Sequence, residues 1–394
     1  MKIFWPESIN SDIFLEKYWQ KQPLLIRAGL SRIDHMLDSH ELAGLALEEE
    51  IESRIITHDA STDHWTVQNG PFSENDFARL PEKDWTLLVQ DVDKFAPDLS
   101  CIVDAFDFIP RWRIDDLMIS YAADGGSVGP HTDSYDVFLV QLNGKRRWKI
   151  NHQPCPEPVL RKDTAVKLMQ DFNASHEWLL EPGDILYLPP DIPHWGIAEG
   201  EDCLTGSVGF ISPVEDQLFS HWADDALEQM SQPLRYTDAD LQRTKNPGEI
   251  DATALSRLLG MLKTSIEHAV DLMPVTIGKL LSSSKENLCI ETADECLENI
   301  DQMLQLLKAN NLYRHPALRM FYMKADNKLL FFAHGVDYSA AEITCSLVEY
   351  LCNNSFYDND ILLDLLQASP ANRELLLRLI NDGLLIIENY ENEN

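Results

Sequence analysis

The sequence predicts an α+β chain of 394 residues, with a strand-rich N-terminal half, a helical middle and a small mixed C-terminal part. Three observations predict it. Short apolar or alternating runs separated by turn chemistry crowd residues 1–214, most densely after Trp112, which is the pattern of a barrel or sandwich. Beyond Pro213 apolar residues recur at three- and four-residue spacing, as in amphipathic helices. From about Leu312 two strand-like runs and three helical ones resemble a winged-helix module. At about 100–200 residues per domain the chain has room for two or three domains. The parts expected are 1–214, with a core at 90–214, then 215–308 and 309–394.

In chain order, DIFLEKYWQK (12–21) and HELAGLALEEEIE (40–52) read as helices, and PLLIRA, SRIITH and HWTVQ as short strands. WRIDDLMISYAA, DVFLVQL, RRWKI, DILYLPP, HWGIAE and LTGSVGF are the strands of the dense zone. Asn143-Gly144 between two apolar runs reads as a hairpin turn, and Glu181-Pro182-Gly183-Asp184 as a second turn. Helices are expected over 214–230, 252–273 and 292–309, with TKNPGEI (244–250) as a connection. Near the C-terminus RMFYMKA and KLLFFAHG flank Asp326-Asn327, helices follow over 341–353, 358–368 and 372–383, and LLIIEN closes the chain.

Composition narrows the function. There are 65 acidic against 32 basic residues, a net charge of −33. Such a field repels phosphate backbones and anionic membranes and attracts basic partners; acidity also serves plain solubility. No nucleic acid or membrane partner is expected. Seven scattered cysteines with no CxxC argue against a disulfide framework or thiolate zinc site and fit a reducing cytoplasm. The first residues lack a signal-peptide apolar region, and no apolar run approaches the roughly 20 residues of a membrane span.

Among twelve histidines only His131 has an acid two positions on, in His131-Thr132-Asp133. In a strand, side chains at i and i+2 share a face, so imidazole and carboxylate can reach one ion. Two histidines and one carboxylate on one face of an octahedron form the set used by non-haem iron(II) oxygenases. His194, after a buried strand and a Pro-bounded turn, is the leading third ligand. His176, among polar loop residues, and His221, in the helical zone, are weaker; spacing alone does not exclude His152.

In Lys145-Arg146-Arg147-Trp148-Lys149-Ile150, period-two alternation leaves Arg146 as the lone cation on the inward face. A buried guanidinium needs an anionic partner. The distal carboxylate of a dicarboxylate such as 2-oxoglutarate suits its bidentate fork, and a protein carboxylate would serve equally. On the 112–120 strand the same alternation puts Trp112, Ile114, Asp116, Met118 and Ser120 on one face. A buried Asp116 either receives a cation from a substrate or pairs with Arg111 or Arg113.

GPHTDSYDVFLVQLNGKRRWKI, LEPGDILYLPPDIPHWGIA and GSVGF, with the opening WPESINSDIFLEKYWQKQPLLIRAG, ELAGLALEEEIESRI and WRIDDLMIS, resemble the JmjC (cupin-type) oxygenases. More narrowly they are similar to the bacterial ribosomal-protein arginine hydroxylases, densely over 1–215 and more weakly beyond. The resemblance implies a double-stranded β-helix (cupin jelly roll) over 1–214, a helical dimerisation segment and a terminal winged helix that serves as a protein module. It implies Fe(2+) on His131, Asp133 and His194, with 2-oxoglutarate and O2 as co-substrates. It places Arg146 and Ser120 at the co-substrate, and Asp116, Met118, Tyr135 and Ser207 in the substrate pocket. The implied reaction hydroxylates an arginine Cβ of large-subunit ribosomal protein sixteen, a basic partner that gives the acidic balance a purpose. Other readings are a ribosomal-protein histidine hydroxylase, a non-enzymatic metal-binding cupin regulator with a DNA-binding wing, and a cupin isomerase or zinc enzyme. The acidic balance opposes the regulator, since 312–394 has no dense basic stripe.

Overall fold

The computed structural model describes residues 1–388 except 32, 34, 35, 231, 286, 294, 295 and 326. The chain divides into two compact units, one built on residues 1–212 and one on residues from 213 onward, apart from a short piece at Leu288 that joins the first.

Among the described residues the first unit holds nine strands: β1 Leu24–Ile26, β2 Ser53–Asp59, β3 His64–Asn69, β4 Trp85–Val89, β5 Ile114–Ala122, β6 Val137–Ile150, β7 His176–Leu180, β8 Ile185–Leu188 and β9 His194–Phe210. Helices α1 Ser11–Lys17 and α2 Ser39–Leu45 precede the central strands, with short turns α3 Glu74–Phe77, α4 Val92–Phe95 and α5 Ser100–Asp104 between. The strand order is β1-β8-β6-β9-β5-β4-β2-β3, with β7 also on β6. The first half of β6 pairs with β8 and its second half with β7, while β9 follows it along its length. This division of one long strand between two neighbours makes the jelly roll. Asn143-Gly144 is not the hairpin turn expected. It lies inside β6, where the register to β9 shifts between Gln141 and Lys145 and Gly144 takes φ +61°. The left-handed backbone that favours Asn-Gly in turns serves a β-bulge here. For the same reason HWGIAE and LTGSVGF are one strand rather than two.

Both faces of β8, of β6 over 137–142 and of β9 over 203–210 are buried, which is why these stretches read as largely apolar runs. One face packs Phe138, Val140, Tyr187, Val208 and Phe210 against Phe14 of α1 and Ile102 and Phe106 around α5. The other carries Val137, Leu139, Trp148, Ile150, Leu186 and Leu188. Period-two reading holds over 145–150, where Arg146, Trp148 and Ile150 are buried. It fails at the start of β5. The register to β9 slips between Ile114 and Leu117, so Ile114 joins the core face of Leu117 and Ile119, apart from Met118. Trp112 stands before the strand, in a 3₁₀ turn.

The second unit begins with α6 Glu215–Glu228, α7 Ala252–Ala269, α8 Met273–Ser282 and α9 Ile300–Leu307. The helix expected over 252–273 stops at Ala269. A 3₁₀ turn follows, and α8 starts afresh with Pro274 in its first turn, where a missing N–H is harmless. The helix expected over 292–309 is formed only from Ile300, where Asn299 caps it by accepting from the Gln302 N–H; residues 294 and 295 of that stretch lie outside the described residues. Then come β10 Asn311–Arg314, β11 Met320–Ala325, β12 Lys328–Ala333, β13 Val336–Asp337, α10 Cys345–Asn353, β14 Phe356–Tyr357, α11 Asn359–Gln367, α12 Pro370–Asn381 and β15 Leu385–Glu388. The expected wing is β11 paired with β12, with Asn327 at φ +60°; Asp326 lies outside the described residues. Leu312, Phe331, Leu347, Leu351, Tyr357, Leu376 and Leu379 give this unit its own core.

Candidate metal centre

His131, Asp133 and His194 come together, their ligand atoms all within 4.8 Å of one another. The Asp133 Oδ2 lies 3.8 Å from His131 Nε2 and 3.5 Å from His194 Nε2. His194 opens β9. The HxD is not in a regular strand, contrary to expectation. His131 forms an isolated antiparallel bridge to His194, with N–H to O distances of 3.0 and 2.9 Å, and the chain then bends through Ser134 and Tyr135. That backbone pair, plus the Asp191 N–H donated to the Asp133 carbonyl at 2.7 Å, does the placing that strand parity was expected to do.

The tautomers are fixed from behind. His131 Nδ1 lies 2.9 Å from the Gly129 carbonyl and His194 Nδ1 lies 2.8 Å from the Ile192 carbonyl. A carbonyl only accepts, so each Nδ1 carries the proton and each Nε2 turns a lone pair to the shared point. Burial, then the neighbouring His131, push the His194 pKa down to about 4, which keeps that imidazole neutral and able to ligate near pH 7. Two neutral imidazoles and a carboxylate suit a divalent first-row ion. Of the rivals, His152 and His176 lie 4.0 Å apart between ring centres, tilted to each other, and neither they nor His221 is part of the cluster.

Arg146 is 4% exposed. Its Nε donates to Cys203 Sγ at 3.4 Å, its guanidinium carbon lies 5.9 Å from the Trp148 ring centre, and its buried Nη2 has no partner among the described residues. Among the described residues no carboxylate pairs with it, so of the two partners the sequence leaves open, an external anion remains. Small side chains surround the spot: Ala122, Ala198 and Cys203 form one buried cluster, and Ala198 is the cross-strand neighbour of Arg146. Ser120 is buried on β5 and donates to the Thr205 carbonyl at 3.4 Å.

Asp116 and Tyr135 flank Gly209. A Cβ at Gly209 would sit 3.5 Å from Asp116 Oδ1 and 3.9 Å from Tyr135 Cε2. Asp116 is 6% exposed and accepts the Asp91 N–H at 3.3 Å. Arg111 pairs with Asp104 and Asp107, and Arg113 with Asp136. Met118 and Ser207 are cross-strand partners, and Met118 packs beside Trp65 and Leu168. Tyr135 is 40% exposed, yet the protein around its hydroxyl, then the charges of Asp133, Asp116 and Asp115, raise its pKa, so it stays a neutral phenol. Acidic groups thus gather around Tyr135 beside Asp133, while the Arg146 cation neighbours Trp148, whose ring lies 5.8 Å from that of His194.

Two contacts of Arg146 are not marked in the sequence: Cys203 is there one of seven scattered thiols, and Trp148 only an inward residue of its strand. Arg161 ties the 151–175 segment to the β2–β3 turn through Asp63 at 2.8 Å, and nothing local marks that pairing.

Family models match a JmjC domain at residues 101–218 and a ROXA-like winged helix at residues 265–386. The ribosomal protein uL16 3-hydroxylase of Escherichia coli is 36% identical over 73% of this chain and 73% of its own length. A probable ribosomal oxygenase of Haemophilus influenzae is 34% identical over 84% of this chain and 82% of its own. Among solved structures, that of E. coli YcfD superposes with a TM-score of 0.83 at 31% identity, covering 98% of this chain and 100% of that one. YcfD in complex with cobalt and 2-oxoglutarate superposes with a TM-score of 0.82, covering 98% of this chain and 99% of that one.

Proposed function

The chain belongs to the JmjC ribosomal-oxygenase family, and on that premise we propose that it is an iron(II)- and 2-oxoglutarate-dependent hydroxylase of ribosomal protein uL16, acting on the Cβ of an arginine. One observation carries the reading: a buried guanidinium with no carboxylate partner among the described residues stands in the same jelly roll as a two-histidine, one-carboxylate cluster.

His131, Asp133 and His194 would hold the metal, and the donor set fits iron(II). With iron(II) bound, 2-oxoglutarate and O2 supply the oxidising power that inserts one oxygen atom into a C–H bond and leaves succinate and CO2. The protein's share is ligation, orientation and exclusion of water. Arg146 receives the distal carboxylate through Nη2, and Ser120 offers a hydroxyl nearby. Asp116 receives the substrate guanidinium, whose planar fork matches a carboxylate, with Tyr135, Met118 and Ser207 as walls. Because Tyr135 stays neutral, it adds no charge to compete with Asp116. No protein general base is required.

The same reading assigns residues 1–214 to the oxygenase, 215–308 to dimerisation and 309–394 to a winged helix that contacts protein rather than nucleic acid. A homodimer is supported by α7, where Leu255, Leu258, Leu259, Leu262 and Ile266 are each 42–58% exposed along one stripe. The site of action is the cytoplasm, where a basic ribosomal protein is drawn to a chain of net charge −33. The test is to incubate ribosomal proteins with the enzyme, iron(II) and 2-oxoglutarate and to locate the added oxygen by fragment mass spectrometry. One added oxygen on an arginine of uL16 is expected. Addition on a histidine would move the assignment to that residue class.

A further inference from the structure

Trp148 carries a second buried donor that no described protein atom answers. Its Nε1 is buried without an acceptor, and the residue is 4% exposed. Buried N–H groups are nearly always paired, and an orphan asks for a reason. Its packing neighbours supply none: Val137, Leu139, Ile150, Leu186 and Leu188 are apolar. A phenylalanine would meet that apolar surround without leaving a donor stranded.

The position is informative. Trp148 lies two residues from Arg146 on the same inward face of β6, with the Arg146 guanidinium carbon 5.9 Å from its ring centre. The His194 ring centre is 5.8 Å from the same ring. The indole therefore neighbours both a metal ligand and the cation assigned to the distal carboxylate. It is also held in place. Across the ladder stands Gly196, where a Cβ would meet Cη2, Cζ3 and Cζ2 at 2.7–2.9 Å, so the six-membered ring occupies the space a side chain would take.

We propose that Trp148 is a co-substrate contact, its Nε1–H donating to an oxygen of 2-oxoglutarate lying between the metal ligands and Arg146. This rests on the reading of Arg146 as the carboxylate anchor. Trp148 then shares with Arg146 the recognition of a dicarboxylate of fixed length, and the two orphaned donors of this strand have one common explanation.

The test uses full-length protein loaded with zinc, with indole nitrogens labelled by ¹⁵N. The chain has nine tryptophans, and Trp148→Phe identifies the signal. On adding 2-oxoglutarate the Trp148 indole N–H should shift downfield and exchange more slowly. Trp148→Phe should bind 2-oxoglutarate roughly tenfold more weakly, the loss of one hydrogen bond to a charged acceptor, with zinc affinity unchanged. If that variant does not fold, the wild-type titration still decides, because one of the nine indole signals must respond. Binding of 2-oxoglutarate with every indole signal unmoved, or equal affinity in Trp148→Phe, would overturn the proposal. Wild-type protein that holds zinc but takes up no 2-oxoglutarate would overturn the Arg146 reading and this one with it.

Discussion

Arg146 donates from Nε to the thiol of Cys203 at 3.4 Å, while its equally buried Nη2 meets no protein acceptor among the described residues. Sulfur is a weak acceptor, so the contact orients the guanidinium without neutralising it. A carboxylate at position 203 would occupy the charge that the pocket holds open. Arg146→Gln should therefore raise the 2-oxoglutarate KM by roughly 30-fold or more, the usual cost of truncating a buried charge pair. Metal affinity should stay as in the wild type. Equal 2-oxoglutarate affinity, measured by calorimetry with a redox-inert ion, would count against the assignment.

His131→Ala should abolish turnover and weaken metal binding while the fold persists. The imidazole is partly exposed and its backbone bridge to His194 survives the substitution. Far-ultraviolet dichroism should be unchanged and iron content low. Turnover at the wild-type rate would remove His131 from the ligand set.

Asp116→Ala should lower kcat/KM for an arginine-containing uL16 peptide by about 100-fold, as expected when a charged partner is removed from a buried pair. Uncoupled consumption of 2-oxoglutarate should be little affected. A histidine target would not require this carboxylate, so unchanged peptide turnover would favour the histidine reading.

Salt should weaken the encounter. With a net charge of −33 against a basic substrate, kcat/KM should fall severalfold between about 0.05 and 0.5 M salt, largely through KM. A flat profile would mean that the acidity serves solubility alone.

Leu258→Glu combined with Leu262→Glu places two charges on the exposed stripe of α7. Light scattering should then report a halved mass, with the centre intact. An unchanged mass would place any interface elsewhere.

The legible part of the site was whatever a single strand controls. Parity over 145–150 singled out Arg146 because β6 is regular there. The same rule misplaced Ile114, because a bulge at Asp115-Asp116 is set by pairing to β9, a hundred residues away. Asn143-Gly144 marked a left-handed backbone correctly but could not say whether the chain turned back or bulged and ran on. His131 and Asp133 do meet His194, but not through the regular strand geometry that parity expects; the bridge to His194 does that placing. The Cys203 thiol and the stranded Trp148 N–H were illegible for a related reason. Both depend on which side chains the jelly roll brings opposite one another. In the second unit helix character was plain, whereas ends depended on a cap at Asn299 and on Pro274.

The most direct test supplies heavy oxygen gas, ¹⁸O2, to the iron(II)-loaded enzyme with 2-oxoglutarate and a uL16 peptide. One atom of label should appear in succinate and the other on the peptide's arginine, in equal amounts, and at 2-oxoglutarate near the wild-type KM Arg146→Gln should lose most of both together. Unlabelled oxygen on the oxidised arginine, drawn from water instead, or peptide oxidation without succinate, would contradict a 2-oxoglutarate oxygenase built on His131, Asp133, His194 and Arg146.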